Sequence, residues 1–209
     1  MECTRNILRW PPVSKLNGFD KKTTFASMLG QAIFLLGSVG LIILSRHALT
    51  DPSSHGFPRF FAFEAILVLV ILNAPKWLIE PFSLPQVVSW ALLLVSAFLA
   101  MHAFWVLNSI GAPDRTIPDA NLQTFEKTTN LVTVGPYSYI RHPLYTSLLC
   151  LAWGIFLKGI DLVTILLVII ASLTLFLTAV YEERENLRKF GDEYVAYMQH
   201  TKRFIPYIF

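Results

Sequence analysis

The stretch Leu162 to Glu183, L-V-T-I-L-L-V-I-I-A-S-L-T-L-F-L-T-A-V-Y-E-E, runs twenty residues without a charge and ends on two adjacent carboxylates. Twenty helical residues at about 1.5 Å each cross roughly 30 Å of hydrocarbon, so Leu162–Tyr181 reads as a transmembrane helix. Just before it, Pro143 opens another apolar segment that reaches Leu157, short for a full span, and Gly159 turns one segment into the other. Together they predict a helical hairpin. Its second arm returns to the side on which the first began, which brings Glu182-Glu183 close to Arg141-His142.

Composition agrees with a membrane setting. The 209 residues are 54% hydrophobic and 15% charged, with mean hydropathy +0.53, too little polar surface to cover a water-soluble globule. The formal charge of +3 is spread out, and no basic run is long enough to mark a nucleic-acid footprint. Cys3 and Cys150 make no disulfide framework and have no second ligand at metal spacing, so neither nucleic acid nor a metal is expected.

Upstream, residues 1–24 mix Trp10, Pro11, Pro12 and scattered charges and are expected to be an interfacial tail. Residues 25–107 hold three further apolar runs, Phe25–Ser45, Phe57–Ala74 and Leu84–Leu107, each read as a span. Gly30, Gly37 and Gly40 in the first permit close helix contact. In the second, Arg59 is expected to snorkel and Glu64 must find a partner. His102 in the third reads as a structural histidine. The fold expected is therefore an all-α integral membrane protein of about five transmembrane helices.

Residues 108–209 form the polar-rich, catalytic part. Asn108–Asn130 is a long polar insert, placed to act as a lid or cofactor wall. After the hairpin, Leu187, Phe190, Tyr194, Tyr197 and Met198 recur at helical spacing, predicting an amphipathic C-terminal helix that closes a pocket. Gly191-Asp192 predicts a stop and restart, with aspartate capping the second helix. With five spans, ten Lys and Arg fall on the side of the C-terminus and seven on the side of the N-terminus, which places the C-terminus and the pocket in the cytosol.

The chemistry concentrates in G-P-Y-S-Y-I-R-H-P-L-Y, Gly135 to Tyr145. Tyr137, Tyr139, Arg141, His142 and Tyr145 offer a fixed cation, an imidazole and three aromatic rings, and Glu182 and Glu183 add negative charge from the other arm. Both signs beside aromatic faces suit a zwitterionic or cationic ligand, and a sulfonium is attracted to tyrosine faces. The bland alternative is an interface belt with helix-capping glutamates.

The run L-V-T-V-G-P-Y-S-Y-I-R-H-P-L-Y, a hairpin, E-E, then F-G-D-E-Y and R-F-I-P resembles the isoprenylcysteine carboxyl methyltransferase family and its phospholipid methyltransferase relatives, over about residues 129 to 206. That resemblance implies an enzyme of the endoplasmic reticulum membrane that takes S-adenosylmethionine from the cytosol and a lipophilic or prenylated acceptor from the bilayer. Carried over by position, it puts cofactor contacts on Leu131, Val132, Tyr137, His142, Pro143, Leu144, Tyr145 and Glu182, and acceptor contacts on Arg141 and Arg203. Thr129 stands where eukaryotic members tend to have histidine, and Thr178 where they are expected to have a substrate-binding arginine.

The reaction implied is carboxyl O-methylation of a prenylcysteine or another lipophilic acid, with Arg141 positioning the carboxylate. The alternative is N-methylation of a phospholipid amine, which requires His142 or Glu183 as base. A non-catalytic scaffold or a reductase on the same bundle is a third reading, and a reductase would want a dinucleotide site, but there is no G-x-G-x-x-G.

Overall fold

A computed structural model describes residues 13–111 and 128–208, with side chains from residue 28 onward. The first twelve residues and most of the polar insert, 112–127, lie outside the described residues, and with them the expected lid. Among the described residues there are six α-helices: α1 (Val13–Leu49), α2 (Gly56–Asn73), α3 (Leu84–Ile110), α4 (Pro143–Phe156), α5 (Leu162–Phe190) and α6 (Asp192–His200). The helix of α1 starts ahead of the apolar run and carries part of the expected tail.

Four segments are long and apolar enough to cross a membrane: Met28–Leu49 within α1, Gly56–Lys76, Leu84–Ile110 and Leu162–Phe190. The protein is an all-α integral membrane protein. The fifth apolar segment, α4, has 14 residues and reaches only about 21 Å, shorter than the other four, and it runs antiparallel along α3 to the hairpin turn. Lipid cannot drive apolar helices together as water does, so packing relies on small residues and on hydrogen bonds between helices. Ala62 and Ala65 of α2 and Ala171 and Ala179 of α5 are buried where those two helices make one of the most extensive contacts in the bundle.

The other extensive contact, α3 against α4, carries buried serines. Ser89 donates to the Gly154 carbonyl at 2.6 Å and Ser96 to that of Ser147 at 2.7 Å. Such bonds are each worth about 0.6 kcal/mol and up to ~2 kcal/mol in a bilayer, and they also fix the register of the two helices. By contrast, the apolar window of α1 is 0% buried, so this helix faces lipid and touches mainly α2. Gly37 lies there against Leu67, whereas Gly40 has nothing near its α-carbon face.

The hairpin turn is closed by a capping box, the Asp161 carboxylate accepting from Thr164 N and the Thr164 hydroxyl from Asp161 N, both at 2.9 Å. Beside it Lys158 is buried, donating to Gln86 at 2.9 Å and lying 3.6 Å from the Trp90 ring centroid. This apolar cage closes one end of the bundle. At the other end α2 and α4 begin and α3 and α5 finish, and every residue of the candidate site lies there.

Two expectations are corrected. Arg59 does not snorkel: it is 7% exposed and faces the bundle interior. The cap between α5 and α6 is Gly191, at φ 56, with Asp192 as the first residue of the helix and no side-chain cap bond. Glu64 finds its partner in Ser38 of α1, which donates to it at 2.8 Å.

Candidate active site

Gly135 and Pro136 begin the site. Gly135 sits at φ 63, a conformation that side-chain-bearing residues rarely adopt, and it opens a short 3-10 turn, Gly135–Ser138, that buries Tyr137. Pro143 then occupies the first turn of α4, where its missing N–H costs nothing, and His142 before it is held out of the helix at ψ 61. The consequence is that the His142 ring is placed at the mouth of the hairpin.

The C-terminal segment pins this turn. Arg141 N donates to Lys202 O at 2.7 Å, Lys202 N to Tyr139 O at 3.2 Å and His142 N to Arg203 O at 3.2 Å, a short parallel pairing of the two segments. From α6 the Tyr197 hydroxyl donates to Tyr137 O at 2.7 Å. Burial pushes the Tyr197 phenol above its ordinary range, and burial followed by the Glu182 charge does the same to Tyr194. Both remain neutral donors.

These elements enclose a cavity of about 500 Å³. Leu131, Val132, Tyr137 and Pro143 line it, as do Leu144, Tyr145, His142 and Glu182, so the expected cofactor residues come together on one surface. Arg141 lines it too. Glu183 and Arg203 do not: Glu183 is sandwiched between two guanidiniums, accepting from Arg141 Nε at 2.8 Å and from Arg203 Nε at 3.1 Å and Nη2 at 2.5 Å. A carboxylate so engaged is a poor proton acceptor, and Arg203, which also lies over the Phe176 ring, is turned to Glu183 and is not among the cavity-lining residues.

His142 stands between the two glutamates, Nδ1 3.7 Å from Glu182 Oε2 and Nε2 3.4 Å from Glu183 Oε1. The second approach is off the line a hydrogen bond needs, so the buried Nε2 is without a hydrogen-bond partner among the described residues. Its ring stacks on Tyr145 with centroids 5.5 Å apart. Arg141 Nη1 donates to the carbonyls of Thr201 and, at 3.4 Å, Met198, which leaves Nη2 outside these bonds.

Sequence reasoning missed the opposite wall. His55, Arg59 and Glu185 line the same cavity, with His55 Nδ1 2.6 Å from Glu185 Oε2. Their separation of 130 residues left no local signal, although a charged residue inside an apolar run was itself a pointer.

The sequence profile of the family described as phospholipid methyltransferase matches residues 85–193, more than half of the chain. The chain belongs to the phospholipid methyltransferase family. It is thus a membrane methyltransferase, and the family implies a methyl donor. The matched segment runs from α3 through the hairpin into α6 and so contains most of the cavity wall, while α2, which supplies His55 and Arg59, lies outside it. Searches of the curated proteins and of the solved structures found no match.

Proposed function

We propose that the protein methylates a carboxyl group of a lipophilic acid, a prenylcysteine first, using S-adenosylmethionine bound from the cytosolic side and an acceptor drawn from the bilayer. The observation that carries this reading is the pose of Arg141: a guanidinium clamped by Glu183 and two backbone carbonyls, yet lining the cavity. It is pre-organised to receive an anion.

The residues present fit the cofactor. The cavity has the volume of a cofactor-sized pocket, and its walls combine apolar Leu131, Val132 and Leu144 with the Glu182 carboxylate and the His142 imidazole. Glu182 would hold an ammonium or ribose hydroxyls, and Tyr137 and Tyr145 offer faces to a positively charged sulfur. When bound, the sulfonium supplies an electrophilic methyl group. Methyl transfer is an in-line displacement with no covalent intermediate, so the protein's task is to hold acceptor and methyl at about 3 to 3.5 Å and keep water out. Arg141 orients the carboxylate, which needs no base, and Glu183 with Arg203 holds Arg141 in place.

A second reading, N-methylation of a phospholipid amine, is favoured by the family description. An ammonium must first lose a proton, and His142 is the group at the cavity able to take it. The two readings separate in one experiment: purified protein with methyl-labelled S-adenosylmethionine and membrane extract. Label released by mild alkali as volatile methanol supports the ester, label that stays on a non-volatile amine headgroup the amine, and no labelled lipid overturns both. Arg141→Ala is expected to abolish ester formation with helicity retained by circular dichroism, and near-normal turnover by that variant would refute the role of Arg141.

A further inference from the structure

We propose that residues 205–208 are a membrane anchor: their side chains insert among lipid acyl chains beside α5 and so hold the strap that fixes Arg141. The stretch 204–208, F-I-P-Y-I, carries no charge, and Phe204 is buried while the four residues after it are exposed. Ile205 is 50% exposed, Tyr207 82% and Ile208 77%. Large apolar side chains left bare side by side mark a surface that something apolar covers.

The level at which they lie identifies the cover. The Phe204 carbonyl accepts from the Thr146 hydroxyl of α4 at 3.2 Å, and the Phe204 ring joins the core cluster of Ala62 of α2 with Leu175 and Ala179 of α5. That ring stands 6.5 Å from the ring of Phe176, centroid to centroid. Phe176 lies five residues inside Tyr181, the last residue of the uncharged run, or about 7.5 Å of helix. The segment is therefore tucked below the rim of the hydrocarbon. Next to Phe176 on α5, Leu177 is 45% exposed within a segment long enough to cross the membrane, so lipid covers this flank of the bundle and reaches residues 205–208 as well.

The backbone and the aromatic rings fit a shallow insertion. Irregular backbone cannot stand open to lipid in the middle of a bilayer, but amphipathic segments lie about 5 to 10 Å into the boundary between headgroups and acyl chains. Here Ile208 N donates to Ile205 O at 3.2 Å, which closes a turn of the exposed segment. The exposed rings of Tyr207 and Tyr139 meet edge to face, centroids 6.4 Å apart, and tyrosine suits that boundary because its body is apolar and its hydroxyl wet. On the other side of Phe204, Arg203 crosses the Phe176 ring, 5.1 Å from its centroid, to reach Glu183, which in turn holds Arg141. Lipid, Phe204, Arg203, Glu183 and Arg141 thus form one run of contacts.

The test uses the full chain in phosphatidylcholine nanodiscs, with Cys3→Ala and Cys150→Ala as background. A nitroxide attached at Ile208→Cys is compared with one at Leu177→Cys, on the lipid-facing side of α5, and one at Glu193→Cys, exposed on α6. The label at 208 should collide with oxygen more than with a water-soluble nickel chelate, as at 177 and opposite to 193. Nickel access equal to that at 193 overturns the proposal, and so does shielding from both reagents, which would mean that protein covers the segment. A second readout is amide exchange in the wild-type background. Ile208→Asp should speed exchange of peptides covering 139–142 about tenfold without changing those of α3, and Ile208→Phe should leave both at the wild-type rate. Exchange unchanged by the charge, or raised as much by Ile208→Phe, overturns the proposal. Neither readout involves methyl transfer, so the reaction proposed above stands or falls separately.

Discussion

Arg141 Nε donates to Glu183 Oε1 at 2.8 Å, a contact between residues 42 apart that ties the mouth of the hairpin to its far arm. Arg203 grips the same carboxylate from the C-terminal segment. Glu183 is thereby the fixed point about which the cation lining the cavity is oriented. Glu183→Gln should leave two guanidiniums without their counter-charge and cost roughly 3 kcal/mol of stability, with cofactor binding weakened. Thermal unfolding in detergent reads the first effect, and a midpoint equal to that of wild type would remove Glu183 from this structural role.

Glu182 behaves differently. Its side chain is 30% exposed, lines the cavity and approaches His142 Nδ1 at 3.7 Å, so its loss disturbs the ligand surface more than the fold. Glu182→Ala should raise the dissociation constant for S-adenosylmethionine about tenfold, about 1.4 kcal/mol, with the unfolding midpoint little changed. Calorimetric titration showing wild-type affinity would exclude Glu182 from the cofactor contacts.

The Tyr197 hydroxyl is the link between α6 and the turn that buries Tyr137. Tyr197→Phe leaves the Tyr137 carbonyl short of a donor and should cost about 1 to 2 kcal/mol. The pH dependence follows from burial, which raises the phenol's pKa above the ordinary 10.0. Above pH 10 the unfolded chain then binds fewer protons than the folded one, so stability is complete below that pH and declines as pH rises. Unfolding followed between about pH 9 and 11 should show a shallower decline in Tyr197→Phe than in wild type; equal slopes would mean that this phenol does not contribute.

Gly135→Ala tests the turn itself. The added methyl would sit at φ 63 and only 3.2 Å from Val106 Cγ2 on α3, so both the backbone and its neighbour must shift. A loss of about 1 to 2 kcal/mol is expected, accompanied by weaker cofactor binding because Tyr137 follows directly. Full affinity in a well-folded variant would show that the turn need not hold this shape.

Sequence and tertiary structure divided the information unevenly. Periodicity and length sufficed for the spans and the hairpin, because an uncharged run long enough to cross hydrocarbon has few other fates. The hairpin alone placed Arg141-His142 near Glu182-Glu183, since a reversal of direction is a geometric consequence of two helices and a short turn. What each glutamate does was not determined by sequence: adjacent positions on a helix point about 100° apart, so Glu182 meets the cavity and Glu183 the two arginines. The sequence also left Arg203 on the acceptor side, whereas pairing of its segment with residues 139–142 turns it to Glu183. Only the fold brought His55 and Arg59 to the same cavity as Glu185, because contacts between helices far apart in the chain depend on how the bundle closes.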